Sequence, residues 1–263
     1  MRRSLPLALS LLFALPIVAR ADDWEALFNG KDLSGWKGKN ELWSVKEGAI
    51  TGYTKDGKIG GNSFLVWDGK VKDFELKVKF KIVGGNSGIQ YRSKNVGKPE
   101  DFVISGYQAD IDSAGKRKQQ FVGILYEERG RGFLCNRGTK TWVDTDGTRF
   151  EVETAKSDDV LKSIKEDDWN EYHITAKANH LIHQINGKTT AEVIDFQKDK
   201  RASEGLLAFQ IHDGMGEMTV QFKDIQLKKL TGVEEVTEKG MPIPKDAKKI
   251  EPPKPKAKKV EKK

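Results

Sequence analysis

The sequence predicts an all-β protein built as a sandwich or barrel, and three observations carry that expectation. Apolar and charged residues alternate without a break over nine positions, Phe74-Glu75-Leu76-Lys77-Val78-Lys79-Phe80-Lys81-Ile82. A side-chain period of two belongs to a strand with one face in the core and the other in water. The dipeptide Asn186-Gly187 separates two extended runs, residues 181–185 and 188–193, which marks a type I′ hairpin. Elsewhere, short runs of β-branched and aromatic residues recur between Gly, Asn and Asp clusters, and no stretch sustains an amphipathic helical period across three turns.

The remaining elements follow from the same pattern. Gly84-Gly85-Asn86 interrupts the first strand, and residues 87–92 resume an extended run that puts Gln90 and Arg92 on one face and Ile89 and Tyr91 on the other. Residues 217–230 read as a closing strand in which Val220, Phe222, Ile225 and Leu227 contact the core across a bulge at Lys223-Asp224. The span 22–230 has the length of one sandwich domain that can bury a substantial core.

The two ends differ from this domain. Residues 1–21 run from Arg2 and Arg3 through an apolar stretch at 5–18 to Ala19-Arg20-Ala21, the order of a secretory signal. The stretch is shorter than the roughly 18–20 residues of a membrane span. The mature chain is expected to begin near Asp22 and to be periplasmic or secreted, with no membrane span. Residues 231–263 are rich in Lys, Glu and Pro and are expected to be a disordered tail, because such a composition buries too little surface to offset the entropy of ordering. That tail either aids solubility or contacts an anionic cell-envelope polymer.

Composition excludes several functions. The formal net charge is +7, but the leader contributes three positive charges and the tail a net four, which leaves 22–230 neutral. A nucleic-acid partner loses its electrostatic support. Cys135 is the sole cysteine, so no intrachain disulfide forms, and its place in Gly132-Phe133-Leu134-Cys135 fits a buried small residue better than a nucleophile.

Four segments resemble the 3-keto-disaccharide hydrolase family: Gly84-Gly85-Asn86-Ser87-Gly88-Ile89-Gln90-Tyr91-Arg92, Ser105-Gly106-Tyr107-Gln108-Ala109-Asp110-Ile111-Asp112, Gly123-Ile124-Leu125-Tyr126-Glu127-Glu128, and residues 205–230. Phe28-Asn29-Gly30-Lys31-Asp32-Leu33-Ser34-Gly35-Trp36 is similar to the family's opening, and Asp168-Trp169-Asn170-Glu171-Tyr172 to its strand before the Asn-Gly hairpin. The similarity spans nearly all of residues 24–230. It implies a concanavalin-like two-sheet jelly roll acting on glycosides whose C3 hydroxyl has become a ketone, by hydrolysis or by 1,2-elimination with hydration. Many relatives carry glutamate where this chain has Gln108, so a base assigned to that position elsewhere is missing here.

Such chemistry needs a base for the acidified C2 hydrogen, a donor or cation for the developing enolate and an acid for the leaving oxygen. In residues 107–112, Gln108, Asp110 and Asp112 share one strand face. Asp110 is the first candidate base, and paired carboxylates could instead ligate a divalent cation, the one cofactor the sequence suggests. The plain alternative puts Asp110 in solvent and Asp112 in a turn. Gln90 and Arg92 are candidate substrate contacts, with Arg92 equally able to form a structural ion pair. Glu127 is the second catalytic candidate, next to Tyr126 as a binding residue and before the turn Arg129-Gly130-Arg131-Gly132, while Glu128 reads as a solvated charge. His212 ends a strand at a glycine-bearing turn, where a near-neutral pKa suits a base or ligand; a strand-end hydrogen bond is the ordinary alternative. Trp142 and Trp169 could stack on a sugar, although a buried tryptophan is commoner.

Two rivals remain at this stage. A non-catalytic carbohydrate-binding module would use the same fold without a base. A conventional β-glucanase would need two carboxyls about 5–5.5 Å apart, and the row opens on Gln108 rather than an acid.

Overall fold

The computed structural model describes residues 23–113 and 119–250; the leader at 1–21 and the end of the lysine-rich tail lie outside them. In chain order the first strands are β1 (Glu25–Ala26), β2 (Trp36–Lys37), β3 (Trp43–Lys46), β4 (Ala49–Thr54), β5 (Ser63–Val71) and β6 (Phe74–Val83). They are followed by β7 (Asn86–Asn95), β8 (Ile104–Asp112), β9 (Leu125–Glu128), β10 (Gly132–Cys135), β11 (Thr139–Val143) and β12 (Arg149–Glu153). After a short helix α1 (Ser157–Leu161) come β13 (Asn170–Lys177), β14 (His180–Ile185), β15 (Lys188–Asp195), β16 (Gly205–Ile211), β17 (Met218–Lys229) and β18 (Lys248–Ile250).

These strands form two sheets packed face to face as a jelly-roll sandwich. The larger runs β18-β12-β11-β15-β14-β13-β6-β17-β4-β3 with β1 beside β17, and the smaller runs β10-β9-β8-β7-β16-β5-β2. Alternation decides what enters the space between them. The residues Phe74, Leu76, Val78, Phe80 and Ile82 of β6 are buried while the lysines between them are half-buried, as the period of two requires. Facing them from the smaller sheet are Ile89 and Tyr91, Tyr107, Ala109 and Ile111, and Phe209 and Ile211, all in one cluster. Phe209 is the joint between layers: its ring stacks 3.9 Å from Phe222 of the larger sheet and 4.9 Å from Trp36 on its other flank.

The turns follow their chemistry. Asn186 (φ 51°) and Gly187 (φ 79°) both adopt the left-handed conformation that a type I′ hairpin demands. In β17 the register shifts between Lys223 and Gln226, with Asp224 at φ 50°, so the bulge anticipated at Lys223-Asp224 is present.

Two expectations fail here. Residues 231–250 are not a disordered tail. They cross the β11 and β15 region, where Val236, Met241 and Ile243 pack on Trp142, Ile194 and Phe196, and end as β18, paired to β12. Three well-spaced apolar side chains and one strand pairing suffice to dock a segment whose average composition is polar. Trp142 is accordingly not a sugar platform: it is buried under this strap and its Nε1 donates to Met241 O at 3.1 Å. Trp169 has lysines over its ring, Lys223 Nζ at 4.0 Å and Lys81 Nζ at 5.3 Å.

Deleting residues 231–263 is expected to uncover Trp142 and its neighbours and to destabilise the domain by on the order of 2–4 kcal/mol, given the partial burial of three apolar side chains. Thermal melts of the full and shortened proteins test this; equal midpoints would show that the strap contributes nothing.

Candidate functional site

The face of the smaller sheet opposite the core carries a polar row. With Tyr107, Ala109 and Ile111 turned inward, Gln108, Asp110 and Asp112 must point outward. By the same parity Asn86, Gly88 and Gln90 stand beside them on β7, in the register Asn86–Asp112, Gly88–Asp110 and Gln90–Gln108. Tyr126 lies opposite Gln108 on β9, so Glu128 shares its face. Gln210 and His212 continue the row on and beyond β16. A cleft of about 230 Å³ opens here, lined by Asn62, Asn86, Gln108, Asp110, Phe121, Tyr126, Glu128, Phe133, His212 and Met215.

Asp110 forms its floor. All nine residues of β8 are buried, and the carboxylate is held between two amides: Asn86 Nδ2 donates to Oδ1 at 2.7 Å and Gln108 Nε2 to Oδ2 at 3.0 Å. Gly88 makes that arrangement possible, because a Cβ there would fall 2.5 Å from Gln108 Cγ. Burial pushes the Asp110 carboxyl up to about 8, against the lowering effect of the two amides and with the carboxylates of Asp112 and Glu128 adding to the rise. Glu128 is also raised, first by burial, with Arg129 and His212 opposing; Gln210 Nε2 lies 3.5 Å from its Oε2. His212 Nδ1 is 2.6 Å from Asp213 O, so a neutral ring donates there and keeps Nε2 as its basic nitrogen. Its backbone N–H donates to Asn86 O, which ties the histidine to the strand that positions Asp110.

Of the residues singled out from sequence, Asp110, His212, Gln108 and Tyr126 meet in this cleft. Gln90 is one layer down: fully buried, its Nε2 donates to Gln108 Oε1 and its Oε1 accepts from Ser93 Oγ, so it orients Gln108. Asp112 is buried at the end of the row, where Oδ2 accepts from the Phe121 backbone at 3.1 Å and Oδ1 lies 3.4 Å from Asn86 Nδ2. Among the described residues no three His, Cys, Asp or Glu side chains form a metal-holding group.

Two candidates belong elsewhere. Arg92 sits in a bulge of β7 at φ 46°, which rotates it off the Gln90 face; its guanidinium donates to Lys72 O, Ala178 O and Asp73 Oδ1. Glu127 has the opposite parity to Tyr126. Its Oε2 accepts from both N and Nε of Arg131 at 2.7 Å, and Arg131 also pairs with Asp195. Conversely Glu128, read from sequence as a solvated charge, faces the cleft; strand parity with Tyr126 was the available signal. Asn86 was equally accessible by parity with Gln90. Asn62, Phe121, Phe133 and Met215 come from sequence-distant segments and left no local signal. Cys135 is buried, which pushes its thiol up to about 11, and burial lowers His183 to about 3, so neither is a ready acid or base.

The fold and the cleft place the protein among jelly rolls that present a polar site on the outer face of one sheet. Comparison with known proteins narrows this: residues 23–228 match the 3-keto-alpha-glucoside-1,2-lyase-like domain, and the chain belongs to that family. A 3-keto-disaccharide hydrolase of Bacteroides thetaiotaomicron is 34% identical over 95 residues, 32% of this chain and 32% of that protein. The match therefore spans about a third of the relative's length. Two solved structures from Parabacteroides distasonis, each described as a candidate glycosyl hydrolase, share the fold. One has a TM-score of 0.54 at 22% identity, covering 82% of this chain and 98% of the other; the second has 0.53 at 18%, covering 80% and 100%.

The raised Asp110 carboxyl has a measurable consequence. Its neutral form stabilises the fold fully below the ordinary value of 3.8, and that contribution is lost as pH rises through about 8. The shift corresponds to roughly 6 kcal/mol as an upper bound. Asp110→Asn, neutral throughout, is expected to gain on the parent in Tm as pH rises from 4 to 8. A constant offset across that range would show that the carboxyl ionises as it does in water.

Proposed function

We propose that this protein is an exported enzyme that cleaves 3-keto-glycosides by proton abstraction at C2, with Asp110 as the base. The observation that carries this reading is the buried Asp110 carboxyl at the floor of a polar cleft, raised to about 8. A proton-transfer group is most effective when its pKa lies near the working pH. Family membership supports this substrate chemistry, and the name of the Bacteroides relative, a 3-keto-disaccharide hydrolase, agrees with it. Export rests on the leader sequence at residues 1–21.

In the proposed reaction the C3 ketone acidifies the C2 hydrogen. Asp110 takes that proton, the C2–H electrons form the C1=C2 bond, and the C1–O bond breaks with its electrons leaving on the aglycone oxygen. Glu128, whose burial favours the protonated form, returns a proton to that oxygen. Addition of water across C1=C2 then completes a net hydrolysis, with His212 Nε2 placed to activate the water. The amide groups of Asn86 and Gln108 hold the Asp110 carboxylate in place and Gln90 holds Gln108, so the base is oriented by residues that do not titrate. The cleft is below the roughly 300–1,000 Å³ of sites for drug-sized ligands, which suits a single sugar ring at its floor.

The test is to offer the purified protein 3-keto-glucosides and their unoxidised parents, with and without chelator, and to follow released aglycone and any 2-hydroxy-glucal. Release from the keto forms alone is expected, with kcat/KM rising as pH approaches about 8 and levelling above it. Asp110→Asn is expected to lower kcat by about 10²- to 10⁴-fold. Accumulated glycal would identify elimination. Saturable binding of a glycan without turnover of any keto-glycoside would refute the enzyme and leave a binding module.

A further inference from the structure

One end of the cleft is aromatic, and the polar chemistry of the floor does not use it. Tyr126 and Phe133 face each other across the β9–β10 pair, with ring centroids 5.1 Å apart and planes at 74°. Phe121 lies 5.7 Å from Phe133 on the same side, and Met215 adds a polarizable thioether to the lining. Phe133 is 46% exposed, one of four large hydrophobic residues in that state among the described residues. The other three, Tyr53, Val83 and Val96, are absent from the cleft. A single exposed apolar side chain carries no meaning. Here the exposed ring continues a wall of aromatic side chains that runs into the cleft holding Asp110.

The chemistry of this wall discriminates between occupants. Asn86, Gln108, Asp110, Glu128 and His212 supply donors and acceptors for one sugar ring's hydroxyls. Of the described side chains at the aromatic end, Phe121, Tyr126, Phe133 and Met215, Tyr126 alone contributes an oxygen. A second sugar seated against these side chains would keep most of its hydrogen bonds to water beside the half-exposed Phe133 and gain little from the wall. A planar aryl group would instead meet edges and faces of three rings at favourable separations.

Resting on the reading of the floor as a 3-keto-sugar site, we propose that Phe121, Tyr126 and Phe133 form an aglycone subsite for an aromatic ring, which makes aryl 3-keto-glucosides the preferred ligands over 3-keto-disaccharides. The subsite acts on affinity, so its signature is separable from the easier departure of a phenolate.

The deciding experiment compares dissociation constants of phenyl and methyl 3-keto-glucosides of matched anomeric form and of a 3-keto-disaccharide. Calorimetry on Asp110→Asn keeps them intact, and KM values of the parent provide the same comparison if that variant does not fold. The phenyl compound is expected to bind about five- to tenfold more tightly than the methyl compound and more tightly than the disaccharide. Phe133→Ala, at a half-exposed position, is expected to reduce the phenyl-to-methyl ratio to less than about twofold. Equal affinities, tighter binding of the disaccharide or a ratio untouched by Phe133→Ala would each overturn the subsite. Aryl-selective binding without turnover would retain the subsite and remove the reaction; turnover without aryl preference would do the reverse.

Discussion

Strand β8 is buried along its whole length, on the face that packs into the sandwich and on the face that carries Gln108 and Asp110. A carboxylate taken out of water is costly unless it is hydrogen-bonded or neutralised. The structure does part of each. Asn86 and Gln108 each donate to one oxygen, and burial still holds the proton affinity high enough for transfer near neutral pH. The support extends outward from there: Gln90 fixes Gln108, Gly88 leaves room for it, and the Asn86 carbonyl receives the His212 backbone. The site is an extension of the β7–β8–β16 pairing rather than a set of loops placed above it.

Most other buried charges in this half of the molecule are structural. Arg131 joins Glu127 to Asp195, and Tyr107, from within the core, also donates to Asp195. Arg92 closes a bulge against Asp73 and two carbonyls. In both cases nearly every polar atom is committed to a protein partner, which is what makes a buried ion pair tolerable. The Asp110 region differs: the carboxyl of Asp110 is bonded to the amides of Asn86 and Gln108 rather than to a guanidinium, and Arg129 Nε stands 3.9 Å from Glu128 at the rim.

How much of this was legible in the sequence varies with the range of the interaction responsible. The period of two in β6, the type I′ turn at Asn186-Gly187 and the bulge in β17 are local, set by backbone sterics and side-chain alternation, and each is where the sequence placed it. The shared face of Gln108 and Asp110 is local as well. Arg92 went astray because one bulge inverts parity, and Glu127 was preferred to Glu128 because a charge cluster at a turn gives no sign of which member points inward. The strap at 231–250 was missed because average composition conceals three apolar side chains with a waiting surface at Trp142, Ile194 and Phe196.

By itself the sequence determined the all-β class, the main strands and turns, and a polar row containing Asp110, because these depend on interactions between residues adjacent in the chain or paired by a hairpin. The tertiary structure alone decided that Asp110 is buried rather than solvated, that Glu128 and His212 converge on it, that Phe121 and Phe133 wall the same cleft, and that Trp142 lies beneath a strap. Each of these is set by what packs against the residue from a distant part of the chain. Burial and the proton affinity that follows from it belong to the assembled sandwich, not to any single strand.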